Sequence, residues 1–291
     1  MQGWLSWQRY RCNMDCTNDP DNCFSEKLIK KTIDSMVSEG YKAAGYEYVN
    51  LDDCWQAEER VNGHLVAHPT NFPSGIKALA KYAHDAGMKL GLYTAMGNGT
   101  CANDGGKGVA LGLGCDFGDI PTCTRAKMDI DDFVSWDIDH LKVDGCGQFD
   151  RVDQNNSYAI VGHHLLEAVK KRGTGPVVYH PSNLGFRYPR QFGELVSIAN
   201  QWRWFDDVDS TWKSISSIIE EVGAGQPHCV DEPLPLNCTT DMMFGDRATY
   251  CSRFCSEVQR FVDSARPGAW PDPDMLVVGN TREHSYCACG Q

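Results

Sequence analysis

The sequence lacks the features that would indicate a nucleic-acid partner, a membrane span or a tandem array. It has 27 basic residues against 39 acidic ones, and the formal net charge of −12 argues against nucleic acid, because phosphate binding needs a basic face. No apolar run approaches the length of a bilayer span, which predicts a chain without one. Repeats and low-complexity linkers are absent too, so the 291 residues suit one barrel or one to two ordinary domains.

Cysteine, by contrast, is abundant. The chain has 14 cysteines, a number that cytosolic proteins seldom keep and that oxidising compartments convert to disulfides. Three N-x-S/T sequons, at Asn98, Asn155 and Asn237, agree with passage through the secretory route and are candidate glycosylation sites. The sequence starts without a signal peptide, which we interpret as a mature or trimmed form.

Short β-rich runs alternate with amphipathic helices along the chain. Several runs are apolar through most of their length, as is typical of parallel strands covered on both faces. Such alternation predicts an α/β parallel sheet, and seven strands favour a barrel over a doubly wound sheet. Predicted strands are Gly3–Trp7, Glu47–Leu51, Lys89–Tyr93, His140–Val143, Pro176–Tyr179, Ile198–Trp202 and Met275–Val278. Predicted helices run from Ser25 to Gly40, from Ser74 to Gly87, over Tyr158–Ala168 and over Trp212–Val222.

Two stretches interrupt this alternation. Residues 102–126 are glycine-rich, and a region at about 223–265 carries four cysteines and is interpreted as a disulfide-tied loop insertion. The pattern stops after Asn280. We therefore predict a catalytic barrel over residues 1–280 and a divergent tail over residues 281–291.

Acidic residues recur beside four of the predicted strands. Reactive groups of parallel barrels gather where strands end and βα loops begin, so these acids are candidate site residues. A single aspartate there is explained equally well as a helix cap or a turn residue, but recurrence at four strands favours a site. The acids are Asp52, Asp53, Asp144, Asp206, Asp207, Asp209, Asp272 and Asp274.

Carboxylates among aromatic residues suit a carbohydrate ligand. Acids accept hydrogen bonds from sugar hydroxyls, while flat rings cover the apolar face of the sugar. Two of the acids can perform glycosidic chemistry, one attacking the anomeric carbon and one protonating the leaving oxygen. A metal site is the alternative, but histidines at ligand spacing are missing, so we predict no metal and no cofactor. The aromatic residues are Trp7, Trp55, Tyr93 and Trp202.

Six ordered motifs resemble those of glycoside hydrolase family 27, which contains the lysosomal α-galactosidase and α-N-acetylgalactosaminidase. The matches cover most of residues 1–222 and 267–280. The family is a retaining one with a (β/α)8 TIM-type barrel followed by an antiparallel β domain, so the resemblance implies that fold and a lysosomal or secreted protein. The motifs are GWLSWQRYRCN, YEYVNLDDCW, KLGLYTAMGNGTC, HLKVDGC, the WR-to-DDVDSTWKSI run and WPDPDMLVVGN.

The resemblance implies roles for individual residues. Asp144 becomes the nucleophile, and Asp207, four residues after Arg203, becomes the general acid/base. Asp52 and Asp53 would hold the 6- and 4-hydroxyls of a galacto-sugar. The remaining implied substrate contacts are Trp7, Tyr93, Lys142, Arg203, Asp274 and Met275.

Six of the cysteines match three disulfides of the family, namely Cys12–Cys54, Cys16–Cys23 and Cys101–Cys146. A fourth family disulfide is missing at both ends, where this chain has Pro181 and Ala199. For the other eight cysteines we favour disulfides over zinc, although Cys251 and Cys255 with His228 or Cys229 keep a zinc site open.

The residues after the fifth strand bear on which sugar is bound. α-Galactosidases of the family place Glu and Leu beside carbon 2 of the sugar, whereas the N-acetylgalactosaminidases place Ser and Ala. This chain aligns Ser182 and Gly185 there, and small residues leave room for an acetamide. The resemblance thus favours terminal α-linked N-acetylgalactosamine, with α-galactosidase activity and a turn-capping Ser182 as the alternatives.

The family continues beyond this chain with an eighth strand and the β domain. We therefore expect an incomplete barrel with seven readable strands. An incomplete barrel keeps open a second hypothesis, that the chain is a non-catalytic galactoside-binding pseudoenzyme. The presence of both Asp144 and Asp207 argues against it. The expected partner is an α-galactoside or α-GalNAc glycoconjugate, and a homodimer stays open because dimers are common in the family.

Overall fold

The computed structural model describes residues 2–103, 112–113, 123–146, 154–173, 175–182, 198–203, 207–223, 270–272 and 274. Within these residues, parallel strands alternate with α-helices. The strands are β1 (Gly3–Leu5), β2 (Tyr48–Asn50), β3 (Lys89–Ala95), β4 (His140–Asp144), β5 (Val178–Pro181), β6 (Gln201–Arg203) and β7 (Trp270–Asp272). The helices are α1 (Trp7–Tyr10), α2 (Glu26–Ser38), α3 (Gly75–Asp85), α4 (Thr124–Ser135), α5 (Gln154–Arg172) and α6 (Trp212–Gly223), with a 3₁₀ turn at Cys101–Asn103.

Strands that follow one another in the chain lie side by side. Strands β1 to β5 form one parallel sheet in sequence order, and β6 pairs with β7 in parallel. Asn200 joins the two groups: the Tyr179 N–H donates to its side-chain oxygen (2.9 Å), and its own N–H donates to the Tyr179 carbonyl (3.0 Å). This order, with helices between the strands, is that of a β/α barrel, and the predicted fold class is confirmed.

The period-two alternation of each strand separates the core from the barrel interior. On β4, Leu141 and Val143 are fully buried in the hydrophobic core that the surrounding helices complete. The alternate residue Lys142 reaches Asp52 beyond β2 instead, a contact between strands that are not neighbours. Polar side chains therefore face the interior, and apolar ones face the helices.

Gly91 on β3 shows how closely the interior is filled. It lies between Asn50 and His140 in the strand register. A Cβ atom at Gly91 would lie 1.9 Å from the Asn50 side-chain oxygen and 2.9 Å from His140 Nδ1. Only glycine leaves room for both neighbours at this position.

The four predicted helices are confirmed, and for α2 the sequence explains where the helix begins. Ser25 precedes α2 in an extended conformation, and its hydroxyl accepts the Leu28 N–H at 3.4 Å, which is an N-cap. Ile29 and Ile33 of α2 are fully buried against the sheet. No helix among the described residues is long and apolar enough to cross a bilayer.

Three differences separate the predicted elements from those that the structure describes. The first strand ends at Leu5, and Trp7 instead opens α1. The seventh strand lies at Trp270–Asp272, before the predicted Met275–Val278, which is outside the described residues. Prolines obscured it, because Pro271 has no N–H for a ladder and so argues against a strand. Helix α4 was not predicted, since it follows the glycine-rich stretch directly.

All three disulfides that the resemblance implied are present in the structure, joining Cys12 to Cys54, Cys16 to Cys23, and Cys101 to Cys146. Cys123 is disulfide-bonded as well. The cysteine-rich region at about 223–265, the tail at 281–291 and the remaining cysteines lie outside the described residues, so the predicted domain division stays a prediction.

Candidate active site

Asp52 and Lys142 form a buried ion pair at the carboxyl ends of β2 and β4. Lys142 Nζ lies 2.8 Å from Asp52 Oδ2, with 10% and 3% of the two side chains exposed. Burial alone disfavours the charged lysine, yet the carboxylates of Asp52 and Asp144 raise the pKa of Lys142 above its ordinary value. The Ser6 hydroxyl accepts the Asp52 N–H at 2.9 Å, which fixes the start of this loop.

Asp53, the next residue, is fully buried. Its two carboxylate oxygens accept the Cys54 N–H at 2.7 Å and the Ala102 N–H at 2.9 Å. Burial and the charge of Asp52 together raise the pKa of Asp53 to about 6, against the opposing effect of these hydrogen bonds. Cys54 adopts φ 76°, a strained left-handed conformation, and its disulfide to Cys12 holds this turn.

Asp144 ends β4 with its carboxylate held by two donors. The Tyr93 hydroxyl donates to Oδ2 at 3.1 Å, and the Gly145 N–H donates to Oδ1 at 2.8 Å. Tyr93 is buried, and burial first, then the nearby acids, raise its pKa well above 10. The disulfide of Cys146 to Cys101 follows two residues later. The structure thus brings Asp144, Tyr93 and Lys142 together, as the resemblance implied.

Arg203, at the end of β6, connects two further acids. Its guanidinium Nη1 lies 3.0 Å from Asp207 Oδ1, and Nη2 lies 2.8 Å from Asp274 Oδ2. The side chain of Asp207 is 80% exposed, whereas those of Arg203 and Asp274 are 5% and 4% exposed. The carboxylate of Asp207 is therefore open to solvent, and the buried guanidinium of Arg203 orients it.

The two groups of acids each lie beside a buried cation. Lys142 interacts with Asp52 and Asp144, and Arg203 pairs with Asp207. Lys142 and Arg203 are near enough for their charges to repel each other, so the two groups lie in the same part of the barrel. A site of this kind has an oriented carboxylate, a solvent-facing acid and fixed positive charge, which are the groups that glycoside hydrolysis needs.

Other predicted site residues have local roles. The Ser182 hydroxyl donates to the Val143 carbonyl at 3.2 Å, beside the strand end that carries Asp144. Trp7 is half-buried, and Arg11 stacks on its ring with Cζ 4.7 Å from the centroid. Asp209 accepts the Thr211 N–H at 2.7 Å and forms the turn that precedes α6, which is the turn-residue interpretation.

Two aromatic residues expected near the sugar lie elsewhere. Trp55 is fully buried, donates from Nε1 to the Tyr93 carbonyl at 2.7 Å, and packs against Phe133. Trp202 is fully buried in the same core. On β6, Trp202 faces the core while its neighbour Arg203 faces the acids, because adjacent strand residues point to opposite faces. Trp55 lies beyond the end of β2, where strand alternation no longer fixes the direction of a side chain.

One predicted glycosylation site lies among the described residues, whereas several other predicted residues do not. Asn98 is exposed and accepts a hydrogen bond from Arg125 at 3.2 Å, so glycosylation there stays a prediction. The other predicted residues whose side chains lie outside the described part of the chain are Gly185, Met275, Asn155, Asp206 and Asn237.

Residues that the sequence did not single out also support the site. Ser6 anchors Asp52, and the buried His180 on β5 lies 3.0 Å from Asp272 on β7. His180 could have been recognised from the strand register. It is paired with Lys142 across β4 and β5, and paired residues of neighbouring strands point to the same face of the sheet.

A metal site is not supported in the described part of the chain. The one group there with ligand-type atoms close together is Cys101, Asp144 and Cys146. Two of its three members form a disulfide, so neither sulfur is available as a thiolate ligand.

The comparisons with known proteins agree with this geometry. A melibiase family model, described as alpha galactosidase A, matches residues 1–246. The chain belongs to glycoside hydrolase family 27. It is 37% identical over 282 residues to alpha-galactosidase A of Homo sapiens, covering 96% of this chain and 54% of that protein. It is 34% identical over 283 residues to alpha-N-acetylgalactosaminidase of Gallus gallus, covering 96% of this chain and 57% of that protein.

Solved structures of family 27 proteins share the fold. Alpha-galactosidase I of Mortierella vinacea superposes with a TM-score of 0.62 at 27% identity, covering 96% of this chain and 59% of that one. An alpha-galactosidase of Saccharomyces cerevisiae gives 0.62 at 26% identity, covering 97% and 53%. The chain spans about half the length of the curated relatives it matches.

Proposed function

We propose that this chain is a retaining glycosidase that removes terminal α-linked N-acetylgalactosamine from glycoconjugates. The observation that carries the proposal is the contrast between two carboxyl groups, one beside Lys142 and the other beside Arg203. Asp144 is held by the Tyr93 hydroxyl and the Gly145 N–H, while Asp207 is anchored by Arg203 and open to solvent. A fixed carboxylate suits attack on carbon, and an exposed one suits proton exchange.

The proposed reaction has two displacements. In the first, an Asp144 oxygen forms a bond to the anomeric carbon as the bond to the leaving oxygen breaks, and Asp207 gives its proton to that oxygen. In the second, Asp207 takes a proton from water, whose oxygen displaces Asp144 and regenerates the carboxylate. The sugar leaves with its original anomeric configuration.

Asp52 and Asp53 support recognition of the galacto-sugar in this proposal. The relatives named as alpha-galactosidase A and alpha-N-acetylgalactosaminidase both act on such sugars by their names. Asp53 is buried and fixed by two backbone N–H groups, and a fixed acceptor discriminates between hydroxyl configurations more strictly than a mobile one.

The preference for the N-acetylated sugar depends on the end of β5. Ser182 is small, half-buried and adjacent to the strand that bears Asp144, which leaves space where a larger residue would fill it. The second candidate is α-galactosidase activity, favoured by the 37% identity to the human alpha-galactosidase A. Hydrolysis rates of nitrophenyl α-GalNAc and nitrophenyl α-galactoside, measured side by side, decide between them.

The catalytic assignment predicts that Asp144→Asn abolishes turnover. An amide is a far poorer nucleophile than a carboxylate, so we expect a loss of at least ~10³-fold in kcat with the fold intact by circular dichroism. Asp209→Asn is the matched control, because Asp209 is exposed and an asparagine oxygen can still accept the Thr211 N–H that forms its turn. Substantial residual activity of Asp144→Asn would reject the nucleophile.

Two further measurements test the class of protein. Proton NMR of the first-formed product distinguishes retention from inversion, and an inverted product would refute the double displacement. A wild-type chain that GalNAc stabilises against thermal unfolding, without any turnover, would support the binding-only alternative. The three disulfides support a proposed route through an oxidising compartment, to the lysosome or the cell exterior.

A further inference from the structure

Two histidines face the barrel interior below the proposed site and have no role in the reaction above. His140 on β4 and His180 on β5 are each 4% exposed, with ring centroids 5.4 Å apart. Burying a histidine costs free energy unless its ring nitrogens have polar partners, so the contacts of each ring indicate its role. Of the two, His180 has an ion-pair contact with an acid.

His180 contacts an acid on a distant strand. Its Nε2 lies 3.0 Å from Asp272 Oδ2 on β7, and both side chains are largely buried. The other oxygen of Asp272 accepts the Asp274 N–H at 3.0 Å. Burial alone would raise the pKa of Asp272, but His180 and Arg203 together hold it well below its ordinary value. Asp272 is thus an ionised carboxylate with both oxygens engaged.

Asp274 donates its backbone N–H to Asp272, and its own carboxylate contacts the groups that position Asp207, the proposed acid/base. Its Oδ2 lies 2.8 Å from Arg203 Nη2 and also accepts the Val208 N–H at 2.7 Å. Arg203 Nη1 reaches Asp207 at 3.0 Å, and Val208 is the next residue in the chain. Asp274 therefore holds both the cation that orients Asp207 and the backbone beside it.

We propose that His180 is a positioning residue for Asp207, acting through Asp272, Asp274 and Arg203. The inference rests on the proposed function, because it concerns the delivery of a proton to the leaving oxygen. Without the His180 side chain, Asp272 loses the close contact on its Oδ2 oxygen, and its carboxylate is free to turn away from the position in which it accepts the Asp274 N–H. A displacement of about 1 Å in an acid group can cost ~10²-fold in rate.

The leaving group provides a readout that a merely structural role would not change. A dinitrophenolate departs without protonation, so its release does not need a well-placed acid. An alkyl alcohol departs only with a proton, so its release does. Misplacement of Asp207 should therefore slow alkyl glycosides much more than dinitrophenyl glycosides.

The experiment compares kcat/KM for methyl and dinitrophenyl α-glycosides of the sugar that the wild-type protein hydrolyses. We expect His180→Phe to lose ~10²-fold on the methyl glycoside and only a few-fold on the dinitrophenyl glycoside. His180→Gln, whose amide still donates a hydrogen bond, should recover most of the difference. His140→Phe is the packing control: His140 is equally buried on the neighbouring strand and its ring lies beside that of His180, but it lacks the ion pair with Asp272, so we expect the variant to change the rates on both substrates by similar factors.

Equal losses on the two substrates in His180→Phe, or no loss, would overturn the inference while leaving the proposed function intact. Should His180→Phe fail to fold by circular dichroism, His180→Asn serves in its place, since the shorter amide does not span the 3.0 Å contact. The same selectivity is expected of it, and its absence counts against the inference. A wild-type protein that hydrolyses neither glycoside overturns the proposed function and this inference with it.

Discussion

At the scale of single residues, the site consists of acids whose surroundings differ sharply. Asp53 is fully buried with two backbone donors, Asp52 is paired with Lys142, and Asp207 is 80% exposed beside Arg203. Identical side chains thus receive different environments from the loops that follow β2 and β6. Such divergence is how one residue type can bind hydroxyls, attack carbon and exchange protons in the same site.

The buried Asp53 predicts a pH-dependent cost to stability. Its pKa is about 6 in the folded protein against 3.8 for the free residue, so the folded state holds the proton more tightly. Stability is therefore lost as pH rises above 3.8, and the loss is complete above about pH 6, for a total of about 3 kcal/mol.

Asp53→Asn removes this dependence. The unfolding free energy of the wild type minus that of Asp53→Asn, measured by urea titration from pH 4 to pH 7, should fall by about 2.5 kcal/mol, the remainder of the loss lying below pH 4. The difference isolates Asp53, because the other titrating groups are common to both proteins. If the difference in unfolding free energy did not change with pH, Asp53 would be ionised in the folded protein without loss of stability, which would contradict the prediction.

At the scale of elements, the start of α2 is a test of local sequence control. The Ser25 hydroxyl caps the helix through the Leu28 N–H, and we expect Ser25→Ala to lower the free energy of unfolding by ~1 kcal/mol. Ser38→Ala, at the other end of the same helix, is the control, because Ser38 is exposed and alanine favours helix. Denaturant unfolding of the two variants gives the comparison, and equal stabilities would contradict the cap.

Elements with clean patterns were predictable, and those with conflicting signals were not. The residues of β3 and β4 form short apolar runs typical of buried strands, and the apolar residues of α2 recur with the period of a helix. The existence and position of these elements therefore followed from the sequence. A strand at Trp270–Asp272 was not predicted because Pro271 argues against a ladder, and only the tertiary pairing with Trp202 establishes it.

The same limit applies to the site. The acids at strand ends were predictable because a parallel barrel brings its strand ends together. The structure has Trp55 and Trp202 in the core, although the sequence placed both beside the sugar. The contact between His180 and Asp272 joins strands 92 residues apart, and no local pattern in the sequence encodes it.

At the scale of the whole molecule, the stability that a disulfide supplies increases with the logarithm of the length of the loop it closes. The Cys101–Cys146 bridge spans 45 residues, and chain entropy assigns it about 4 kcal/mol. The Cys16–Cys23 bridge spans 7 residues and is assigned about 2.5 kcal/mol.

Replacing each pair by alanine tests this difference. We expect the Cys101→Ala, Cys146→Ala protein to unfold at lower denaturant concentration than the Cys16→Ala, Cys23→Ala protein. The first should also lose glycosidase activity, because Cys146 lies two residues after Asp144. Urea titrations of both variants check the order, and the reverse order would show that strain or residual structure outweighs loop entropy.

The arrangement of the first four cysteines has a consequence for biosynthesis. Cys12, Cys16, Cys23 and Cys54 pair only with one another. Oxidation of this amino-terminal segment requires no residue made later by the ribosome. The first two strands can thus be covalently joined while most of the polypeptide is still being translated, which gives the remaining strands a preassembled edge on which to add.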